Sequence, residues 1–216
     1  MTDIFKTPEK LSRKDMLFRI GIETLQQEGW KVERIPGIGK SSVRRITKGG
    51  KSRNVSIRTS QDTWIAFPRK KDDKSWKTLS EVDVVLAVSV DDRDNPKFAQ
   101  VHMIEADEMR QRFDRAYSAR LAAGYQIPLG RGVWVSLYRP EANDPVTLVG
   151  AGAGLDHPPI ARVSLEEHKD SNSDIAFEAK NVDNCKDMPL TIAEAKRRLA
   201  MTLGVDPSSI KITVEA

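Results

Sequence analysis

A single cysteine, Cys185, stands in these 216 residues, which excludes an intramolecular disulfide and any cysteine-rich zinc site. Histidine is almost as scarce. His102, His157 and His168 are scattered and read as surface or loop residues, not as a ligand set. Aromatics make up only 6%, and no apolar run approaches the roughly 20 residues needed to cross a bilayer. The first ten residues, MTDIFKTPEK, lack the apolar core of a signal peptide, so a cytoplasmic protein with no membrane partner is expected. No internal repeat is present. What remains is a chain with 39% hydrophobic and 31% charged residues, enough for one large domain or one domain with a small appendage.

The charge is unevenly placed. The window from Lys31 to Ser80 holds 14 Lys and Arg against 4 Asp and Glu, a net of +10, while the whole chain carries +4. A concentrated positive field favours a polyanion, because each neutralised phosphate releases condensed counterions. A charge run can also be no more than a solvated surface. Here, though, the basic residues alternate with β-branched and aromatic ones, which places them on folded structure. Lys40, Arg44, Arg45, Lys48, Lys51, Arg53 and Arg58 are the candidate phosphate contacts, flanked by Trp64, Arg69, Lys70 and Lys71.

The pattern along the chain alternates between helix and strand. Thr7-Pro8 is a helix start, Met16, Leu17, Ile20 and Leu25 share a helical face, and Gly29 stops the helix. Trp30–Ile35 alternates as a short strand. Val43–Thr47 and Asn54–Thr59 flank Gly49-Gly50 as a hairpin, with Val55 and Ile57 inward and Ser56 and Arg58 outward. Trp64–Pro68 is a further strand and Arg69–Lys77 a charged loop. Val82–Val90 is the most apolar run and predicts a central strand covered on both faces, with Phe98–Ile104 as its partner. A helix begins near Ala106, its stripe formed by Met109, Phe113, Tyr117 and Leu121, and ends at Gly124. Gly132–Tyr138 is another strand. Residues 139–189 read as an irregular Gly/Pro-rich extension. Residues 190–216 read as a C-terminal helix and strand, opened by the capping box Thr191/Glu194, that packs on the core spanned by residues 1–138.

Several motifs fail on inspection. Gly37-Ile38-Gly39-Lys40-Ser41 suggests a P-loop, but Arg34 occupies the position where the first glycine is required. Gly150-Ala151-Gly152-Ala153-Gly154 lacks the third glycine and the following helix of a dinucleotide turn, and is expected to be a flexible loop. Val32, Ile35, Pro36-Gly37-Ile38-Gly39, Val43 and Ile46 resemble a helix-hairpin-helix motif, which implies backbone contacts to DNA phosphate. Val43 departs from the alanine that motif prefers, and the β-branched residues after it favour a strand.

A wider resemblance spans roughly Lys14 to Gly124. The order helix, strand, hairpin, strand, helix, with Val55-Ser56-Ile57-Arg58-Thr59-Ser60 and a downstream Trp64, resembles the PD-(D/E)XK superfamily with its restriction-endonuclease-like fold. That resemblance implies an acid on the second strand, and an acid or glutamine plus a lysine on the third, together holding Mg²⁺ and orienting water. Arg44 or Arg45 and Ser56 with Arg58 occupy those places, and only Glu23 on the first helix has matching chemistry. Arginine neither ligates a metal nor acts as a base. The expectation is therefore an α+β (mixed α/β) protein with a central mixed sheet flanked by helices. It would bind nucleic acid, double-stranded DNA above all, without sequence preference, catalytic residues, metal or cofactor. The alternatives are a metal-dependent nuclease using displaced acids such as Glu23 and Asp62, or a protein-interaction module that offers its basic face to an acidic partner.

Overall fold

A computed structural model describes residues 8–35, 42–128 and 130–166. The expected C-terminal helix and strand, and Lys40, lie outside the described residues. The order of elements is α1 (Pro8–Gln27), β1 (Lys31–Arg34), β2 (Val43–Lys48), β3 (Lys51–Ser60), β4 (Trp64–Pro68), β5 (Val84–Val90), β6 (Phe98–Glu105), α2 (Ala106–Ala122), β7 (Gly132–Ser136), α3 (Ala153–Asp156) and β8 (Ala161–Ser164). The fold is α+β, with a six-stranded mixed sheet in the order β1-β2-β3-β5-β6-β8 and a separate ribbon β4-β7.

All seven residues of β5 are buried, as a strand covered on both faces must be. It pairs parallel with β3 and antiparallel with β6. The parallel pairing needs a crossover, and residues 61–83, including β4, supply it. One sheet face carries Ile46, Val55, Ile57, Val84, Leu86 and Val88 against Met16, Leu17, Ile20 and Leu25 of α1. The other face carries Val85, Ala87 and Ile104 beneath Phe67 of β4, Val133 and Val135 of β7, and Met109 and Phe113 of α2.

Gly21 explains how closely α1 sits. A Cβ at that position would stand 2.8 Å from Val88 Cγ2 and 3.2 Å from Leu86 Cδ2, so only glycine lets the helix press on the sheet there. The helix ends with Gly29 at φ +83°. The Gly29 N–H donates to Gln26 O and the Trp30 N–H to Leu25 O, the paired bonds of a left-handed glycine cap. Gly49 and Gly50, both at positive φ, turn the β2–β3 hairpin.

Four expectations require correction. The glycine run after Ile35 lies between two strands that pair with each other, β1 and β2, so no helix-hairpin-helix flanks it. Leu121 is 45% exposed, while Arg112 and Arg120 are buried on the inner stripe of α2. A residue every fourth position drifts about 40° per step on a helix of 3.6 residues per turn, so Leu121 ends about 120° from Met109 whereas Arg120 stays in line. The extension beyond residue 138 is not merely irregular, because its β8 joins the central sheet beside β6. The run Gly150–Gly154 is buried, with Gly150 and Gly152 in the left-handed region, and not a loose loop.

Candidate nucleic-acid interface

Strand pairing decides where each cation of the basic hairpin points. Arg44 lies opposite Val55 and Arg45 opposite Asn54, while Val43 lies opposite Ser56. Directly paired residues share a face and neighbours along a strand alternate. Arg44, Arg53, Val55 and Ile57 therefore share the α1 side. Arg45, Ser56, Arg58 and Ser60 share the side of β4 and α2. The basic residues of the hairpin do not converge on one open face.

On the α1 side the cations are committed. Arg44 is only 8% exposed, its guanidinium 5.1 Å from the centre of the Phe18 ring, and its Nη1 donates to Val43 O at 2.8 Å. Burial first, and then the charge of its strand partner Arg34, lower its affinity for its proton. Arg53 donates through both terminal nitrogens to the Glu105 carboxylate and through Nη2 to Asp83 O. The Glu105 hydrogen bond raises its pKa. Lys48 donates to Glu28 O at 2.5 Å and lies over Trp30. Lys51 is exposed at the hairpin tip.

The opposite side differs in one respect. Arg58 packs its guanidinium 4.2 Å from the centre of the Phe67 ring, and its Nε is buried without a hydrogen-bond partner. No carboxylate pairs with it among the described residues. Residues 36–41, which continue the chain next to Ser42, contain no Asp or Glu. Burial lowers the Arg58 pKa. The expected outward position of Ser56 and Arg58 is corrected accordingly: Ser56 is fully buried, its Oγ without a hydrogen-bond partner, and Arg58 is half-buried under the ribbon. Arg45, four residues along the same face from the level of Arg58, is exposed.

The flanking residues divide as well. Arg69 is sandwiched between the rings of Trp76 (4.7 Å) and Tyr117 (4.6 Å) and bonds Asp73 and Asp114, so it is a structural cation. Lys70 stands 3.5 Å from Glu81, whereas Lys71 is exposed. Trp64 sits half-buried at the start of β4, where its backbone N–H donates to Asp62 Oδ1. Asp62 also accepts from Ser60 Oγ at 3.0 Å, so its carboxylate is occupied in holding the β3–β4 turn. Among the described residues no group of three or more His, Cys, Asp or Glu is placed to hold a metal ion. No helix among them is long and apolar enough to cross a membrane.

One polar network escaped the sequence reading. His102 is fully buried, not a surface residue. Its Nδ1 lies 2.7 Å from His157 O, so Nδ1 carries the proton, and Nε2 accepts from Tyr138 Oη at 3.0 Å. His157 Nε2 meets Glu108 Oε2 at 2.6 Å, and Glu108 also takes Arg112. Arg112 continues to Asp156 and to Ala151 O. The alternation of β6 places His102 on the same face as Ile104, which was the available signal.

No family model, curated protein or solved structure matches this chain.

Proposed function

We propose that this chain binds nucleic acid through its phosphate backbone, on a restriction-endonuclease-like core whose catalytic positions hold cations and hydroxyls, and that it does not cut what it binds. The observation that carries this reading is Arg58. A half-buried guanidinium over an aromatic ring, with no carboxylate beside it among the described residues, is a cation whose charge an anion can still compensate. Leaving such a charge uncompensated costs free energy that a bound phosphate recovers through a charge-assisted bond. Arg45 on the same face and the exposed Lys51 and Lys71 add field without being tied to a carboxylate among the described residues. Arg44, Arg53, Lys48 and Arg69 serve the fold instead.

The test is fluorescence anisotropy of a labelled duplex of random sequence across a salt series. Each engaged phosphate contributes about −0.9 to the slope of log affinity against log salt. Arg58→Ala should weaken binding to every sequence alike and reduce the slope by about one. Absence of binding at low salt, or binding to an acidic protein of equal charge density as tight as to DNA, overturns the reading in favour of an interaction module. Cleavage of the same duplex with Mg²⁺ that disappears in Glu23→Ala overturns its non-catalytic part.

A further inference from the structure

The outer face of the β4–β7 ribbon carries two tryptophans. Ala66 pairs with Trp134 and Trp64 with Ser136, so the two indoles are diagonal neighbours on one side of the ribbon, while Ile65, Phe67, Val133 and Val135 fill the other side with core. Trp134 is 53% exposed, an unusual position for the largest side chain. Beside them a groove of about 360 Å³ opens, lined by Trp64, Trp134, Ile127, Gly132, Thr147 and Arg120 among others. Its lining contains no Asp or Glu. Gly132 packs tightly within the ribbon, since a Cβ there would stand 3.1 Å from Ala66 Cβ.

Arg120 gives the groove its charge. Its guanidinium donates only to backbone carbonyls, those of Ala116, Trp134 and Thr147, and no carboxylate neutralises it among the described residues. At the Gly132 end of the ribbon the chain enters through the exposed Arg131, and the loop with Lys71 and Lys77 abuts the same end through the Lys77 N–H bond to Pro68 O. The two acids of that loop are engaged internally, Asp72 by Lys74 and Ser75, and Asp73 by Arg69 and Tyr117. An aromatic trough with a cationic wall and a basic end matches a flat, electron-rich ring attached to a phosphate chain. A segment of Asp and Glu alone has no ring to place there, and an aliphatic one gains nothing from the cations.

We propose that this groove takes an unpaired base of single-stranded nucleic acid, stacked on Trp134 and Trp64, with the adjoining phosphates directed to Arg131, Lys71 and Lys77. The inference rests on the nucleic-acid reading above and specifies its substrate: strands with unpaired bases, such as gaps, tails or open junctions. A base inside a duplex is already stacked and cannot enter the trough. Stacking platforms of this kind tolerate any base, because each presents a π-face.

The experiment compares a labelled oligo-dT single strand with a blunt duplex of the same length, for the wild type, Trp134→Ala, Trp134→Phe and Arg58→Ala. Trp134→Ala should weaken single-strand binding about tenfold or more and leave duplex binding within twofold, and Trp134→Phe should restore most of the loss. Wild-type binding of the single strand should also quench indole fluorescence, less so in Trp134→Phe. Equal losses on both ligands in Trp134→Ala, or no loss on the single strand, overturn the groove while leaving the Arg58 result standing. Failure of the wild type to bind either ligand overturns the nucleic-acid reading itself, and the groove with it. Trp134 is exposed, so the variants keep the core intact, and an unchanged melting temperature verifies this.

Discussion

Arg44 and Arg58 project from adjacent strands to opposite faces of the same sheet, the first over Phe18 and the second over Phe67. Their substitution should therefore have opposite consequences. Arg44 packs on α1 and bonds Val43 O, so Arg44→Ala loses contacts and should lower stability by about 1 kcal/mol or more. Arg58 carries a desolvated, uncompensated charge, and Arg58→Met keeps its bulk over Phe67 while removing that charge. Stability should rise by about 0.5–2 kcal/mol as binding falls, the usual exchange at a functional site. Urea titrations of both variants decide it, and a destabilised Arg58→Met would show that the guanidinium belongs to the fold.

The close seat of α1 gives a second prediction. Gly21 has Val88, Leu86 and Ile57 within 3.4 Å of where its Cβ would be. Those atoms belong to β3 and β5 in the middle of the sheet, where they have little room to move. Gly21→Val should cost about 1–3 kcal/mol through overpacking, despite valine's apolar character. Gly21→Ala tests the balance: helix propensity gains up to about 1 kcal/mol, and the 2.8 Å approach to Val88 works against it. A Gly21→Val protein as stable as the wild type would mean that the helix floats on the sheet.

Elements with a strong period were legible in the sequence. Met16, Leu17, Ile20 and Leu25 announced α1, the glycine pair announced the β2–β3 hairpin, and the largely apolar run Val82–Val90 announced the central strand, which forms over Val84–Val90. Partnership between distant elements was not legible. Nothing local in Trp64–Pro68 says that it pairs with Gly132–Ser136 and not with the central sheet, or that the resulting ribbon covers Ser56 and Arg58. The candidate site suffered most from this. Charge counting treats all cations of a window alike, whereas strand parity and distant acids such as Glu105 and Asp114 decide which of them are already occupied. Buried arginines on α2 were invisible for a related reason, because their partners include carbonyl groups more than ten residues away.

Arg112 shows what such a partnership contributes. It holds Ala151 O, a buried carbonyl, together with Glu108 and Asp156, which retain access to water. Arg112→Ala should leave the carbonyl unsatisfied at a cost of about 1–3 kcal/mol, while the carboxylates rehydrate at little cost. The segment it anchors comes close to α2, since a Cβ on Gly150 would stand 2.4 Å from Arg112 O. Gly150 also has φ +81°, so Gly150→Ala is strained in two ways and should destabilise more than Arg112→Ala does. Hydrogen exchange localises both effects. Faster exchange confined to residues 150–157 in Arg112→Ala is expected, and uniform loss across the sheet would mean that the segment is part of the global folding unit.

His102 makes stability depend on pH in a defined direction. Burial lowers its pKa below the ordinary value of 6.5, the hydrogen bond to His157 O works against that, and the neighbouring His157 ring adds to the lowering. Its Nε2 must stay unprotonated to accept from Tyr138 Oη, whose own pKa burial pushes up to about 12. The folded state therefore disfavours the imidazolium that the unfolded chain accepts. Below pH 6.5 the unfolded state binds more protons than the native one, so this contribution is complete above 6.5 and is lost as pH falls below it. Midpoints of urea unfolding should fall between pH 7 and pH 5, and the His102 ring should remain neutral by NMR at pH 6 in the folded protein. A His102 ring that titrates near 6.5 with no change in unfolding midpoint would show that water reaches it and that the chain from His157 to Tyr138 is not closed.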